Sequence, residues 1–566
     1  MLQATDRSVY VRTYDGRNLF QDLGNSDQGS ESRTDDLALG LLSHIKASGD
    51  THIVDTGYAK YRGNFTAPYS VAFLGIPYAE PPVGDLRFRA PVPLDIERIS
   101  SYTENKVINA DQYPDFCIQG SIGEGDAGGA GSEDCLKVNI YAPVNATSRS
   151  KLPVLFYIHG GGYVYGNPRN WPFDHWINQS PNVVVVSVYY RLDSFGFLAH
   201  PEFSSSSVAD LNAGFRDQQL ALRWVRDNIA AFGGDPEQVT INGESAGGGS
   251  VQLHLIASGN EGLFSGAIAQ SVDREPVPKP EQQKPLFDFY AEKAGCGGSN
   301  SLEDTLGCLR NASVSSLARA QDAGANFTGS PYTKWRPVLD GPIISSYPTL
   351  ALESGNFARV PVIAGSTSNE SITSTDNITL FLQESYPLLT ESDIEAFNQV
   401  YDRSQFSSED EWIRTATGDP MLRCGREVVG GAGVKYTKAW AYRYNQPNPT
   451  QGEYGITEHA AENWMMFLGT NTGTNGSTIF TGLDEVETAF SEELIAYWLS
   501  FVRSKNPNTY KLERSPEWVD YSKGKRVVLQ QDPKNTTTKS GIVEEREGED
   551  NQRCSFVASL AEDMQN

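Results

Sequence analysis

Residues 239–248 read Val-Thr-Ile-Asn-Gly-Glu-Ser-Ala-Gly-Gly, and they contain the strongest single indication of the fold class. The β-branched beginning predicts a strand, the small residues after Ser245 predict the start of a helix, and the Gly-x-Ser-x-Gly pattern predicts a sharp turn between them. Small neighbours at Gly243 and Gly247 let such a strand and helix approach closely. Ser245, at the apex of the turn, is therefore the candidate nucleophile. With 53 glycines among 566 residues, so short a pattern needs support from its surroundings.

A second glycine-rich turn lies upstream. The apolar run Val154–Ile158 predicts a buried strand, and it leads directly into His159-Gly-Gly-Gly-Tyr163. An ester carbonyl gains negative charge when a nucleophile attacks it, and preorganised backbone N–H groups stabilise that charge. We assign these donors to Gly161, Gly162 and Ala246. A triple glycine can also form nothing more than a tight loop, but its pairing with the downstream serine turn favours the oxyanion-hole interpretation.

Three further segments carry a resemblance to a known family. They are Phe73-Leu-Gly-Ile-Pro-Tyr-Ala-Glu-Pro-Pro-Val-Gly-Asp-Leu-Arg-Phe88, Ser132-Glu-Asp-Cys-Leu-Lys-Val-Asn-Ile-Tyr-Ala-Pro143, and the stretch from Asp217-Gln218 to Phe232-Gly-Gly-Asp-Pro236. With the serine turn, they make the chain resemble the type-B carboxylesterase/lipase family, which includes cholinesterases and fungal esterases and lipases. The resemblance implies an α/β-hydrolase fold: a large, mostly parallel central sheet with helices on both faces and excursions around an active-site pocket.

The apolar pattern agrees with an α/β architecture. Runs such as Val183–Val188 alternate with helical patterns such as residues 212–232, as expected for a mostly parallel sheet. We expect one catalytic domain over residues 51–566, preceded by an N-terminal extension of unclear order at residues 1–50. Residues 273–339 look irregular and loop-rich, whereas residues 380–429 look helical and amphipathic. Both segments are predicted to surround the pocket.

A serine hydroxyl needs a general base, and only two histidines follow Ser245 in the chain. Because nucleophile, acid and histidine follow one another in that order in α/β hydrolases, the base is His254 or His459. His254 falls in the helix after the serine turn, where a packed histidine is expected. His459 lies in a loop after the strand-like residues 438–444, where the resembled family places its catalytic histidine. Ala460 departs from the glycine that commonly follows it.

The acid of the triad is expected between nucleophile and base. Glu370 follows the strand-like residues 361–367 and matches the family's acid position, although Ser371 replaces the glycine that commonly follows it. A solvated loop carboxylate is the alternative interpretation of Glu370. Asp340 is the second candidate for the acid. If Glu370 is buried, the adjacent glycosylation sequon at Asn369 is expected to carry no sugar.

Composition limits the classes of partner. The net charge of −25 and the pI near 4.7 disfavour nucleic acid and anionic lipid, because an acidic surface repels both. No stretch approaches the ~18 apolar residues that cross a membrane, so no stable membrane insertion is expected. The chain has no His-Glu-x-x-His run, and neither a metal nor an organic cofactor is expected. The predicted partner is a small-molecule ester, and the oligomeric state stays open.

Cysteines and sequons point to the secretory pathway. The resemblance implies disulfides between Cys117 and Cys135 and between Cys296 and Cys308, which leaves Cys424 and Cys554 as a third pair. Nine Asn-x-Ser/Thr sequons predict a glycoprotein. The first residues lack an apolar signal-peptide core, so we expect a secreted protein whose signal peptide has been removed. A protein that is not secreted is the alternative.

Together these residues predict a serine carboxylesterase acting through an acyl-enzyme. Cholinesterases carry a tryptophan for the choline cation in the loop closed by the first disulfide, but residues 118–134 contain no aromatic side chain. The loop is also too short and acidic for a lipase flap, which favours soluble or moderately apolar esters. A lipase or sterol esterase for long-chain lipid esters is the main alternative. A serine peptidase, an acyltransferase and a non-catalytic binding protein are further alternatives. Five aromatic residues could line a pocket or pack in the core: Tyr163, Tyr165, Trp335, Trp464 and Phe467.

Overall fold

The central strand of the molecule ends at the predicted serine turn. In the computed structural model, the described residues are 52–104, 106–121, 128–205, 207–299, 301–371, 375–449, 455–472 and 478–566. Residues 52–566 belong to one unit. The proposed N-terminal extension, residues 1–50, lies outside the described residues, so its boundary stays a prediction.

The longest of the described strands, β9 (Gly234–Glu244), leads into Ser245. The described strands are β1 Ile53–Asp55, β2 Lys60–Arg62, β3 Asn64–Ala67, β4 Ser70–Pro77, β5 Val107–Asn109, β6 Lys137–Pro143, β7 Leu152–Ile158, β8 Val184–Val188, β9 Gly234–Glu244, β10 Gly266–Gln270, β11 Val362–Thr367, β12 Ala439–Tyr444, β13 Thr470–Thr472, β14 Thr478–Phe480, β15 Lys525–Leu529 and β16 Val543–Arg546.

The helices alternate with the central strands. They are α1 Ile96–Thr103, α2 Asp174–Gln179, α3 Asp193–Phe197, α4 Ala213–Asn228, α5 Ala246–Ile256, α6 Pro280–Lys293, α7 Leu302–Asn311, α8 Val314–Gly324, α9 Pro348–Ser354, α10 Ile378–Ser385, α11 Glu391–Val400, α12 Glu409–Gly418, α13 Cys424–Tyr436, α14 Ala461–Met466, α15 Glu485–Ser504, α16 Glu549–Ser559 and α17 Ala561–Met564.

In the part of the chain that the structure describes, eleven strands form the main sheet in the order β16-β15-β12-β11-β10-β9-β7-β8-β6-β4-β3. From β15 to β8 every neighbouring pair is parallel, whereas the strands at both edges pair antiparallel. Successive side chains point to opposite faces, so Phe156 packs in one hydrophobic cluster and Leu155 in another. Helix α5 packs on one face of the sheet, and α15 on the other. The predicted mostly parallel sheet between two helical layers is confirmed.

One local expectation was wrong. Residues 273–339 were expected to be irregular, but they contain the helices α6, α7 and α8. Pro280 lies in the first turn of α6, where the missing N–H costs no intrahelical bond, and Ser301 and Ser313 cap the next two helices. Proline and serine therefore marked the starts of helices in this segment. The expected helices over residues 380–429 are present as α11, α12 and parts of α10 and α13.

The three disulfides pair as expected, Cys117 with Cys135, Cys296 with Cys308, and Cys424 with Cys554. The third one joins α13 to α16 inside a separate hydrophobic cluster built by α10 to α13 and the C-terminal helices. Among the residues that the structure describes, no helix is both long and apolar enough to span a membrane.

Candidate active site

Ser245 lies in a strained turn between β9 and α5. Its backbone has φ +59° and ψ −124°, a conformation that non-glycine residues rarely adopt. The strand and the helix meet closely behind it, because a Cβ atom added to Gly243 would lie 2.4 Å from the backbone of Gly247. A Cβ on Gly247 would lie 2.1 Å from the Ile158 carbonyl oxygen. Gly243 and Gly247 are therefore required by packing, because a side chain at either position would clash with the backbone behind Ser245.

A continuous hydrogen-bonded chain joins Ser245 to a buried carboxylate. The Oγ atom of Ser245 lies 2.9 Å from Nε2 of His459, and Nδ1 of His459 lies 2.7 Å from Oε2 of Glu370. Glu370 is fully buried. Its Oε1 accepts hydrogen bonds from the Thr367 amide and the Ser271 hydroxyl, at 2.8 and 2.5 Å. The structure thus brings together all three residues that the sequence proposed for the triad.

The residue that follows His459 has an unusual backbone conformation. Ala460, at the position where the resembled family commonly has glycine, adopts a left-handed conformation with φ +62°. Such a conformation costs an alanine about 1–2 kcal/mol relative to its preferred region. The helix α14 begins at the next residue, so Ala460 is its N-cap.

The other candidate base, His254, and the second candidate acid, Asp340, lie outside the hydrogen-bonded chain of Ser245, His459 and Glu370. His254 is buried in α5, with Nε2 3.0 Å from the Gln218 side chain and Nδ1 3.0 Å from Asn260. Burial lowers its pKa to about 3. Asp340 accepts hydrogen bonds from the Ile343 and Ile344 amides. Both side chains therefore hold local structure together.

The glycine-rich turn lies against the serine. A Cβ atom built on Gly160 would be 2.9 Å from Cβ of Ser245. The next two residues have positive φ, +106° at Gly161 and +62° at Gly162. Neither of their amides donates to a backbone carbonyl within the described part of the chain. Ala246 opens α5, where N–H groups of the first turn lack an intrahelical acceptor.

Two acids near His459 were given no role by the sequence. Glu244 immediately precedes the serine, and its Oε1 lies 3.4 Å from Nε2 of His459, while Asn463 donates to Oε2 at 3.1 Å. Glu462 is fully buried and accepts from the Tyr442 hydroxyl at 3.2 Å. Glu244 occupies the variable position of the Gly-x-Ser-x-Gly motif, and Glu462 lies outside the motifs that the sequence singled out, so neither had a sequence signal that pointed to a role.

The acids have different protonation properties. Burial raises the pKa of Glu244 to about 7. Burial and the charge of Glu244 together raise the pKa of Glu462 to about 8. Burial also tends to raise the pKa of Glu370, but the charge and hydrogen bond of His459 outweigh it, and the pKa is lowered. Burial alone would lower the pKa of His459, but the charges of Glu370 and Glu244 outweigh it and raise the pKa. Glu370 is therefore the carboxylate that stays ionised.

The aromatic candidates lie in the core. The side chains of Tyr163, Trp335, Trp464 and Phe467 are all nearly inaccessible to solvent. Tyr165 is partly buried, and burial raises its pKa to about 12. Core packing is thus the role of the four buried rings.

One cluster within the described ranges has the spacing of metal ligands, and it consists of Asp419, Cys424 and Cys554. The two sulfurs form a disulfide with each other. The carboxylate of Asp419 pairs with Arg423 and with Arg553. These groups therefore stabilise the C-terminal helices and do not form a metal site.

The fold and the strained serine define an α/β-hydrolase. The sequence profile described as the carboxylesterase family matches residues 50–556. A secreted lipase 1 of Botryotinia fuckeliana is 31% identical over 81% of this chain and 85% of its own length. Liver carboxylesterase 1 of Oryctolagus cuniculus is 29% identical over 86% of this chain and 92% of its own length. The crystal structure of Aspergillus niger EstA superposes with a TM-score of 0.79, at 32% identity, over 91% of this chain and 99% of EstA. The chain therefore belongs to the carboxylesterase family, and it is a carboxylic ester hydrolase.

Proposed function

We propose that this protein hydrolyses carboxylic esters through an acyl-enzyme formed on Ser245, with His459 as the general base and Glu370 as the acid of the triad. The observation that carries the proposal is the hydrogen-bonded chain from Ser245 Oγ through His459 to Glu370, at 2.9 and 2.7 Å. These distances lie within the range required for proton transfer.

The chemistry has two halves. In the first, His459 accepts the proton of Ser245 while the serine oxygen attacks the ester carbonyl, and the resulting imidazolium donates a proton to the leaving alcohol. In the second, His459 activates a water molecule that attacks the acyl group and restores the free serine. Glu370 holds Nδ1–H of His459 throughout, so that Nε2 faces Ser245 in the basic form.

The amides of Gly161, Gly162 and Ala246 are proposed to bind the oxyanion. The positive φ angles of the two glycines and their position beside Ser245 support this role, as does the lack of a backbone acceptor for their amides among the described residues. Donors that are already oriented lose no reorganisation energy in the transition state.

The substrate class is proposed from the disulfide loop. The loop closed by Cys117 and Cys135 contains no aromatic residue and several glycines and acids, which does not suit a cation subsite or a lipid flap. A soluble or moderately apolar ester is therefore proposed. A lipase activity on long-chain esters is the second candidate, because the secreted lipase 1 relative is named for it.

An extracellular location is proposed on three grounds. All six cysteines are in disulfides, which persist in oxidising compartments. One relative is named a secreted lipase, and the chain carries nine glycosylation sequons. We propose that a signal peptide directs the protein to the secretory pathway.

The test of substrate class is a chain-length series. Initial rates are measured on p-nitrophenyl esters from acetate to palmitate, below and above their solubility limits, with matched p-nitroanilides as amide controls. Rates that peak at short or medium chains, with slow amide cleavage, are expected. A rate that rises only once long-chain esters form an emulsion would contradict the soluble-ester proposal and support a lipase.

A further inference from the structure

The loop proposed to bind the oxyanion is held in shape from its far end. Within residues 159–166, here called the glycine loop, the amides of Val164 and Tyr165 both donate to the Gly161 carbonyl, at 2.9 and 3.1 Å. The Tyr165 carbonyl lies so close to Gly161 that a Cβ there would be 2.1 Å away. The direction of the Gly161 and Gly162 amides therefore depends on where residues 164–166 are placed.

The side chain of Gln119 fixes that far end. Its Oε1 accepts from the Gly166 amide at 2.7 Å, and its Nε2 donates to the Gly166 carbonyl at 3.2 Å and to the Cys117 carbonyl at 2.7 Å. The neighbouring Gly120 amide donates to the Val164 carbonyl at 2.8 Å. Gln119 thus engages both backbone polar groups of Gly166, as a paired strand would.

Gln119 is itself held by a disulfide and by hydrogen bonds outside the glycine loop. The disulfide to Cys135 anchors Cys117, two residues before it. Its backbone amide donates to the Ala130 carbonyl at 3.1 Å, and its carbonyl accepts from the buried Gln321 side chain at 3.1 Å. The Oε1 atom of Gln321 in turn accepts from the Ser194 hydroxyl at 2.6 Å. The position of Gln119 is therefore set by groups outside the glycine loop.

We propose that Gln119 is a positioning residue for ester hydrolysis: its side-chain amide clamps Gly166 so that the amides of Gly161 and Gly162 point at the oxyanion. This inference rests on the proposed function of those amides. Because oxyanion stabilisation depends on geometry at the level of about 1 Å, a displaced donor lowers the rate without weakening binding of the uncharged ester. The disulfide loop then has a role in the reaction through Gln119.

Two substitutions break the clamp in different ways. Gln119→Glu keeps the acceptor for the Gly166 amide but places a carboxylate against the Gly166 and Cys117 carbonyls. Gln119→Met keeps the length of the side chain and removes all three hydrogen bonds. Gln219→Glu is the matched control. Gln219 is also buried and its Nε2 also donates to a backbone carbonyl, that of Ser258, but the residue lies in α4 and makes no contact with the glycine loop through this hydrogen bond.

The experiment compares substrate turnover with oxyanion binding. For wild type and variants, kcat and KM for p-nitrophenyl butyrate are measured per active site titrated with diethyl p-nitrophenyl phosphate, so that unfolded protein is not counted. The inhibition constants of an alkyl trifluoromethyl ketone, which forms a tetrahedral oxyanion on the serine, and of the corresponding alcohol, which does not, are measured in parallel.

Both Gln119 variants are expected to lose roughly 10- to 100-fold in kcat with little change in KM. Affinity for the ketone should fall by a similar factor, while affinity for the alcohol and the constants of Gln219→Glu stay near wild type. Gln119 variants with wild-type kcat and ketone affinity would overturn the proposal, as would an equal loss for ketone and alcohol. A wild-type enzyme without ester turnover would instead contradict the proposed function.

Discussion

Oε1 of Glu244 lies 3.4 Å from Nε2 of His459, the same nitrogen that faces the Ser245 hydroxyl. His459 therefore lies between two buried carboxyl groups, since Glu370 binds its other nitrogen. A carboxylate at Glu244 would stabilise the imidazolium that forms when the serine loses its proton. With a pKa of about 7, Glu244 changes its charge near neutral pH.

Replacing Glu244 by Gln is expected to change the pH dependence of activity. Above pH 7 the wild-type carboxylate is ionised and favours the imidazolium, so the variant should lose about tenfold in kcat there, or about 1.4 kcal/mol of transition-state stabilisation. Near pH 5 Glu244 is protonated, and the two proteins should differ little. Steady-state pH profiles check this, with Glu237→Gln, an exposed acid on the same strand, as control. A constant ratio of rates across pH would contradict it.

The same substitution should alter the pH dependence of stability. The folded protein holds the Glu244 proton up to about pH 7, because its pKa is raised to about 7 from the value of 4.5 for a free glutamate. Because the folded state binds more protons in this window, the contribution of Glu244 to the free energy of unfolding is lost as pH rises from about 4.5 to 7. The melting temperature of Glu244→Gln should therefore fall less than that of wild type over this range. A larger fall would refute the assigned direction of the pKa shift.

Glu370→Gln should remove most of the activity. The substitution keeps the shape of the side chain but replaces the carboxylate that holds Nδ1–H of His459, and kcat should fall roughly 10³- to 10⁴-fold. Asp340→Asn is the control for the second acid candidate, because asparagine can still accept from the Ile343 and Ile344 amides. It should keep kcat within a few-fold. A loss confined to Asp340→Asn would reverse the assignment.

The sequon at Asn369 should stay without sugar. The side-chain oxygen of Asn369 accepts a hydrogen bond from the Thr457 amide at 3.1 Å, and the backbone amide of Asn369 donates to the Thr457 carbonyl. The residue that follows Asn369 is the buried Glu370. By contrast, the sequon asparagines 64, 145, 178, 311, 326, 377 and 535 are exposed. Peptide mass spectrometry of the protein from a eukaryotic secretory host, after enzymatic deglycosylation in ¹⁸O water, would report occupancy. Asn64 serves as the exposed control, and a sugar on Asn369 in active enzyme would contradict the arrangement.

The third disulfide should contribute more stability than the second. Cys424 and Cys554 are 130 residues apart, whereas Cys296 and Cys308 are 12 apart. In the chain-entropy model, a disulfide that closes the longer loop adds roughly 5 kcal/mol to the free energy of unfolding, and one that closes the shorter loop adds roughly 3 kcal/mol. Both cysteines of a pair are replaced by alanine, and the two double variants are compared by thermal melting without reductant. The variant without Cys424 and Cys554 should have the lower melting temperature. The opposite order would show that local packing decides the effect.

The sequence predicted the features that short patterns determine. The strand, serine and helix of residues 239–248 follow from β-branched residues and glycine spacing. The order of nucleophile, acid and base narrowed the base to two histidines, and the resemblance to the type-B carboxylesterase/lipase family then implied His459 and Glu370. The sequence did not reveal the contact between Glu244 and His459, because that pair is 215 positions apart and only the folded sheet brings them together. Residues 273–339 were expected to be irregular although Pro280, Ser301 and Ser313 mark helix starts there, and most of the stability of such helices comes from tertiary packing, which the local sequence does not show.

Ser245 is the proposed nucleophile, and a covalent inhibitor tests this assignment. Wild type and Ser245→Ala are incubated with diethyl p-nitrophenyl phosphate, released p-nitrophenol is counted per chain, and the labelled peptide is mapped by tandem mass spectrometry. We predict one equivalent of release and one phosphoryl group on Ser245 in wild type. The alanine variant should show neither, at a nearly unchanged melting temperature. A label on another residue, or an alanine variant that reacts fully, would contradict the assignment.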